Sequence, residues 1–188
     1  MLKYLIIYLL FLIFSNISFA QVLQEEVIQN KWYVNASLGL QMSSIKDEDF
    51  VSTNYTPLFN AAIGNHLSDI MALQIGYKGF FFNYIDDNYK HYYYYLYIET
   101  VFNPITAFIS SGVNRDWNIL PHIGIGIFNN NFLHKSQACL NLGIQCNYSI
   151  SHNFDISLDV SSIVGWRIYQ KDEDIIPGII VGITYSFL

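Results

Sequence analysis

The sequence predicts an all-β fold, an eight-stranded antiparallel up-and-down transmembrane β-barrel. Three observations carry that expectation. Apolar residues recur at every second position in eight segments, and a period of two marks a strand, whose successive side chains point to opposite faces. Charged residues make up only 13% of the 188-residue chain and aromatics reach 17%, whereas soluble chains are about 25% charged. Each segment is also long enough for a tilted bilayer crossing, which takes ~9–11 residues; soluble strands are mostly about 5–6 residues long.

Taken in order, every segment has a large apolar face and a small or polar one. Strand one, Lys31 to Met42, sets Trp32, Val34, Ala36, Leu38 and Leu40 against Tyr33, Asn35, Ser37, Gly39 and Gln41. Strand two, Asn54 to Asn65, sets Tyr55, Phe59, Ala61 and Ile63 against Asn60, Ala62 and Gly64. Strand three, Ile70 to Phe82, opposes Met71, Leu73, Ile75 and Tyr77 to Ala72, Gln74, Gly76 and Lys78. In strand four, His91 to Phe102, Tyr92, Tyr94, Leu96 and Ile98 alternate with Tyr93, Tyr95, Tyr97 and Glu99. Strand five, Trp117 to Phe128, alternates isoleucines with Asn118, His122, Gly124 and Gly126. Strand six, Gln137 to Ile150, places Leu140, Leu142, Ile144 and Tyr148 opposite Asn141, Gly143, Gln145 and Asn147. Strand seven, Phe154 to Ile168, has the clearest alternation, with Asp155, Ser157, Asp159, Ser161, Gly165 and Arg167 on its polar face. Strand eight, Gly178 to Leu188, sets Ile179, Val181, Ile183, Tyr185 and Phe187 against small residues.

The connections alternate too. Long polar stretches follow strands one, three, five and seven (SSIKDEDFVST, NYIDDNYK, NNNFLHKS, QKDEDIIPG), and short ones, HLSD and SHN, follow strands two and six. That asymmetry is the one expected of long external loops and short periplasmic turns. The stretch NPITAFISSGVNRD between strands four and five departs from it and predicts a helical turn or extended flanking strands. With both ends of the barrel inside, outward aromatics sort into two belts. Trp32, Phe102, Trp117, Tyr148, Phe154, Tyr185 and Phe187 lie at the periplasmic end, and Tyr55, Tyr77, Tyr92, Tyr94 and Trp166 at the outer end, as headgroup-level rings should.

The first 20 residues read as a secretory signal peptide: Lys3, an apolar run from Tyr4 to Phe14, then Ser18-Phe19-Ala20. The run is short against the ~20 residues of a spanning helix. Residues 21–30 then form a short periplasmic segment and residues 31–188 the barrel. The formal charge of −6, made more negative by loss of Lys3, argues against nucleic acid as a partner. Cys139 and Cys146 sit in one strand on opposite faces, ~23 Å apart at the strand rise, too far for a disulfide, which needs Cα atoms within about 7 Å.

The closing ITYSF, with Ile183, Tyr185 and Phe187 alternating toward a final aromatic, resembles the C-terminal targeting signal of outer-membrane barrels, although Leu188 follows the aromatic. The stretch NRDWNILPHIGIGIF, with Arg115, Asn118, Pro121, Gly124 and Gly126, resembles a segment common in the OmpA-like outer-membrane β-barrel family. That resemblance implies the outer membrane of a Gram-negative bacterium, contact with its lipids, and recognition of the last strand by barrel-assembly machinery. The peptidoglycan-binding domain that other members carry after the barrel is not expected, so peptidoglycan tethering is not carried over.

The inward polar residues Lys78, Glu99, His122, Gln145, Asp155, Asp159 and Arg167 form the candidate lumen network. An eight-stranded interior is just filled by side chains, and buried charges must pair, so Glu99 and His122 are expected to meet across strands four and five. No metal spacing, phosphate loop or dinucleotide fingerprint occurs, and no cofactor is expected. The acidic stretches Lys46 to Asp49 and Lys171 to Asp174 lack the calcium-loop order and predict solvated loop tips. His91, His134 and Ser136 stand at the right height for a lipid-modifying triad, with no spacing to a third group. The leading expectation is a non-enzymatic structural or surface-interaction barrel, its loops open to an extracellular partner. The alternatives are a narrow channel for ions or small solutes and, less favoured, a lipid-modifying enzyme.

Overall fold

Each of the eight alternating segments is a strand: β1 Trp32–Met42, β2 Tyr55–His66, β3 Met71–Asp86, β4 Tyr89–Phe102, β5 Trp117–Asn130, β6 Lys135–Ser149, β7 Phe154–Trp166 and β8 Glu173–Phe187. The computed structural model describes residues 32–42, 55–86, 89–108, 116–131, 134–166, 168 and 173–187. Each strand pairs antiparallel with its sequence neighbours, and β8 returns to β1 to close the barrel. Closure leaves no unpaired sheet edge.

The register fixes the barrel's dimensions. From Phe187 the pairing runs through Trp32, Asn65, Leu73, Thr100, Ile123, Leu142 and Ser162 back to β8 at Pro177, a stagger of ten residues (187 to 177). With ~3.3 Å rise and ~4.7 Å strand spacing, that stagger over eight strands gives a tilt of about 40° and a backbone radius of about 8 Å. The inward residues must therefore fill the space themselves.

Several strand ends differ from the sequence expectation. β8 begins at Glu173 rather than Gly178 because the alternation continues upstream of Pro177. Pro177, opposite Ser162, points outward and only removes one ladder donor. Asp174 is consequently not a solvated loop tip: it points inward, 1% exposed, and its Oδ2 accepts the Ile168 backbone N–H at 2.5 Å. The other residues of the two acidic stretches, except Glu173, lie outside the described residues. β3 runs on to Asp86 past a bulge, where three steps from Gly79 to Phe82 answer two from Tyr94 to Tyr92. Gly79 has φ of 111° there, a conformation that suits glycine. β5 and β6 each extend past the expected loop edge, to Asn130 and from Lys135.

The connection after β4 holds a short helix, α1, Pro104–Phe108. Asn103 caps it, its Oδ1 accepting the Thr106 N–H at 3.2 Å, and Pro104 takes the first position, where no donor is needed. At the same end, the β2–β3 turn is fixed by Ser68, whose Oγ accepts the N–H groups of Ile70 and Met71.

The seam between β1 and β8 leaves no room at Gly39. A Cβ there would overlap the Ile179 carbonyl and the Ile180 Cα. Gly39→Ala should therefore lower stability by about 1–3 kcal/mol, the usual range for overpacking, seen as a lower urea midpoint for the folded barrel. An unchanged midpoint would mean the seam is looser than its register implies.

Candidate functional site

Three storeys of inward side chains fill the barrel: a mixed, partly open one at the short-turn end, a polar one in the middle and a largely apolar one toward the long loops. On β4 the inward order is Val101, Glu99, Tyr97, Tyr95, Tyr93; on β7 it is Asp155, Ser157, Asp159, Ser161, Ile163.

The middle storey is a bonded polar layer drawn from all eight strands. At its centre Glu99, 3% exposed, accepts from Gln74 on Oε1 (2.5 Å) and from Asn141 on Oε2 (2.6 Å). His122 sits between two carboxylates, Nδ1 3.2 Å from Glu99 Oε2 and Nε2 3.2 Å from Asp159 Oδ1. Only the doubly protonated ring can donate to both. Lys78 reaches from β3 across the lumen to β6 and β7. Its Nζ donates to Ser161 Oγ (2.9 Å) and Asn141 Oδ1 (3.2 Å) and lies 3.9 Å from Asp159 Oδ2. Two cationic groups thus meet two carboxylates, as burial demands. The layer continues through Tyr33, which donates to Gln74 (2.9 Å), and Tyr97, which donates to Asn60 (2.6 Å). Asn60 in turn donates to Asn35 and Ser37, and Asn35 to Thr184 on β8 and Ser157 on β7.

Glycines make room for these rings. Tyr97 lies over its register partner Gly76, Tyr33 over Gly64, and His122 over Gly143. An inward glycine opposite an inward ring on the next strand is a sequence signal that could have outlined the layer. The amides and hydroxyls that complete it, Gln74, Asn141, Asn60 and Ser161, carried no signal beyond their inward parity.

Above the layer, toward the long loops, a plug closes the lumen. Tyr93 and Phe128 stack with ring centroids 4.4 Å apart, and Tyr95, Cys139, Ile163, Ile168 and Ile176 pack with them, the cluster reaching down to Tyr97 of the layer. Tyr93 also donates to Gln41. Below the layer, toward the short turns, a cavity of about 120 Å³ opens outward.

Of the sequence-derived network, the structure brings together Lys78, Glu99, His122 and Asp159. Asp155 stands apart: it accepts from Ser149 Oγ at 2.6 Å and lines the lower cavity, as does Gln145. It is two inward positions below Asp159 on a tilted strand and is bonded to Ser149 rather than to Lys78, Glu99 or His122. Arg167 lies outside the described residues. Cys139 is buried in the plug, Cys146 is on the opposite face, and both are free. Ser136 accepts from Asn129 at 2.9 Å, while His134 is exposed in a turn with φ of 50°; the His91 side chain lies outside the described residues.

The outward face is apolar. Leu38 is 66% exposed, Ile125 61% and Val181 55%, and no charged side chain faces out between the two aromatic sets on the described strands. Rings cluster at the short-turn end, Trp117 on Tyr148 and Phe154 on Tyr185, both with centroids 4.8 Å apart. Tyr77 and Tyr94 stack at 6.4 Å toward the other end. Ile183 and Tyr185 of the closing strand belong to this face. Among the described residues no helix is long and apolar enough to cross a membrane.

No protein-family model matches the sequence, and no curated protein does. Solved barrels match its fold. Neisserial surface protein A is similar at 11% identity and a TM-score of 0.59, over 83% of this chain and 97% of that one. The N-terminal β-barrel domain of Pseudomonas aeruginosa OprF matches at 14% identity and a TM-score of 0.54, over 85% and 100%. Ail, the attachment invasion locus protein of Yersinia pestis, matches at 11% identity and a TM-score of 0.50, over 85% and 100%. At these identities the likeness is one of fold, which agrees with the OmpA-like barrel architecture that the sequence resembles.

Proposed function

We propose that this chain is a closed outer-membrane barrel whose role is structural or surface-interacting, and that it is neither a solute channel nor an enzyme. Its outward face would be covered by lipid, since monomeric soluble proteins rarely leave so continuous an apolar band in water. The N-terminal 20 residues, read as a signal peptide, and the closing strand with Ile183, Tyr185 and Phe187, read as the signal to the assembly machinery, support the outer-membrane address. Outer-membrane barrels among the fold neighbours support it as well.

One observation carries the closed reading: Lys78 spans the lumen within a layer bonded to all eight strands, and the plug of Tyr93, Tyr95 and Phe128 sits directly above it. An ion crossing would have to break both. Purified protein in planar bilayers should therefore give no stepwise conductance. Steady conductance steps whose size or ion selectivity changes on Lys78→Ala would replace this reading with the channel one. With the loops as the surface left to a partner, the interaction role would reside there.

A further inference from the structure

Two polar side chains at the outer end of the lumen are buried with bonding capacity unused. Gln41 is 1% exposed and Thr56 2%, and they are inward register partners on β1 and β2. Gln41 Nε2 and Thr56 Oγ1 have no hydrogen-bond partner among the described residues. The Gln41 oxygen is already taken, since Tyr93 donates to it. Leu58 and Tyr93, both buried, adjoin the pair and give it apolar surroundings. Buried polar atoms in folded proteins are normally satisfied, so these two call for an occupant.

The wall beside them is open. The β1–β2 ladder runs up to Met42 and Tyr55, and the β4–β5 ladder up to Tyr93 and Asn130. The β2–β3 ladder stops lower, at Asn60 and Lys78, where β3 turns away through the Gly79 bulge. Thr56 stands four residues above Asn60, about 10 Å along the axis of a barrel tilted by about 40°. Over that height β2 has no register partner on β3 among the described residues. Pro57 lies on the same stretch, and proline in a sheet belongs at edges and bulges. Outside, Tyr77 and Tyr94 stack at 6.4 Å on the β3–β4 side of the seam. Tyr55, next to Thr56, belongs to the outer aromatic set, so the pair stands at the level of the lipid headgroups.

The chemistry of the pair narrows its occupant. Gln41 offers two N–H donors and Thr56 one O–H, and the acceptors beside them are the hydroxyl oxygens of Thr56 and Tyr93. Donors are in surplus. A water would bring two more donors, whereas a carbonyl oxygen accepts twice and donates nothing. The buried cation among the described residues, Lys78, is held below by Ser161 and Asp159, so nothing at this level counters an anion. A neutral acceptor on an apolar carrier fits best, and an open seam at headgroup depth faces one: the ester carbonyl of a membrane lipid.

We propose that the seam between β2 and β3 is a lateral lipid site. The ester carbonyl of an outer-leaflet lipid accepts from Gln41 Nε2 and Thr56 Oγ1, and its acyl chain lies down the outward face beside Phe59 and Tyr77. The proposal rests on the reading above that lipid covers the barrel, and adds to it one fixed lipid held by its carbonyl.

The test compares the folded protein in nanodiscs of diacyl phosphatidylcholine with nanodiscs of the dialkyl ether form, which differs only in lacking the two carbonyl oxygens. The side-chain NH2 resonances of Gln41 should shift between the two bilayers, and in the ester bilayer they should show cross-peaks to the lipid protons next to the carbonyl. Those of Gln145, at the other end of the lumen, should stay put. In discs that mix the two lipids, cross-peaks to the methyl groups of residue 56 should favour the ester lipid about two- to tenfold, the worth of one hydrogen bond. Thr56→Val, which keeps the side chain's shape, should reduce that preference, and Gln41→Leu should abolish it. Identical Gln41 resonances in the two bilayers would overturn the proposal. So would cross-peaks to water alone, which would assign the pair to an enclosed solvent molecule. A Gln41 signal that ignores the lipid but moves on Thr56→Val would also overturn it, since the two side chains would then satisfy each other. A heat-dependent electrophoretic shift on the same samples separates the two failures: with the shift present, only the lipid site falls, and with it absent, the barrel reading falls as well.

Discussion

Replacing Glu99 with alanine is expected to destabilise the folded barrel by about 3–5 kcal/mol, the range for breaking one side of a buried charged pair. Three donors lose their acceptor at once, from Gln74, Asn141 and His122. Lys78 and His122 are then left with Asp159 as the one carboxylate facing them among the described residues, an uncompensated positive charge in a buried interior. Glu99→Gln should cost less, because it keeps the side chain's size and one acceptor, but it cannot match the charge. Urea unfolding in detergent, followed by tryptophan fluorescence, measures both. Glu99→Ala and His122→Ala should also be non-additive by about 0.5–3 kcal/mol, as expected for groups in one network. A loss below about 0.5 kcal/mol for Glu99→Ala, the usual size of a surface change, would mean the layer does not hold the barrel together.

The second large effect is on the outside. Leu38 is 66% exposed near the middle of β1, between Phe59 on β2 and Val181 on β8. On a soluble protein, Leu38→Arg would be nearly neutral, within about 0.5 kcal/mol. Facing the bilayer midplane, it should cost about 2–4 kcal/mol. Folding into liposomes at increasing urea measures the difference. The same substitution at Trp32, in the belt at the short-turn end, should cost about 0–1 kcal/mol, since the penalty falls off toward the interface. Equal costs at the two positions would contradict the depth assignment of the strands.

The outer face was readable from the sequence because lipid asks one thing of every outward position, that it be apolar, and a period of two records that residue by residue. Strand order was readable as well, since each strand pairs with the next. The interior was legible only in part. Glu99 and His122 stand on adjacent strands, so their meeting depended on one local register and not on the stagger around the whole barrel. Lys78 reaching Ser161 and Asp159 crosses the lumen, and which strands face each other at one height depends on the stagger of ten residues around the barrel. No local pattern encodes that stagger. Asp155 shows the cost of lacking it: its parity is right and its height is wrong. Asp174 was hidden for a different reason, since Pro177 and the run of acids around it imitate a loop although the alternation passes through them. The lower cavity was unreadable, because a cavity is set by which inward side chains fall short of one another.

Lipid covers the apolar face of the closed barrel. Electrophoresis of the detergent-folded protein, unheated against boiled, with circular dichroism on the same samples, tests it most directly. The expected result is a compact, β-rich species that resists the sample buffer when cold and shifts in apparent size on boiling. A protein that stays folded and monodisperse in water without detergent, and shows no shift, would contradict it.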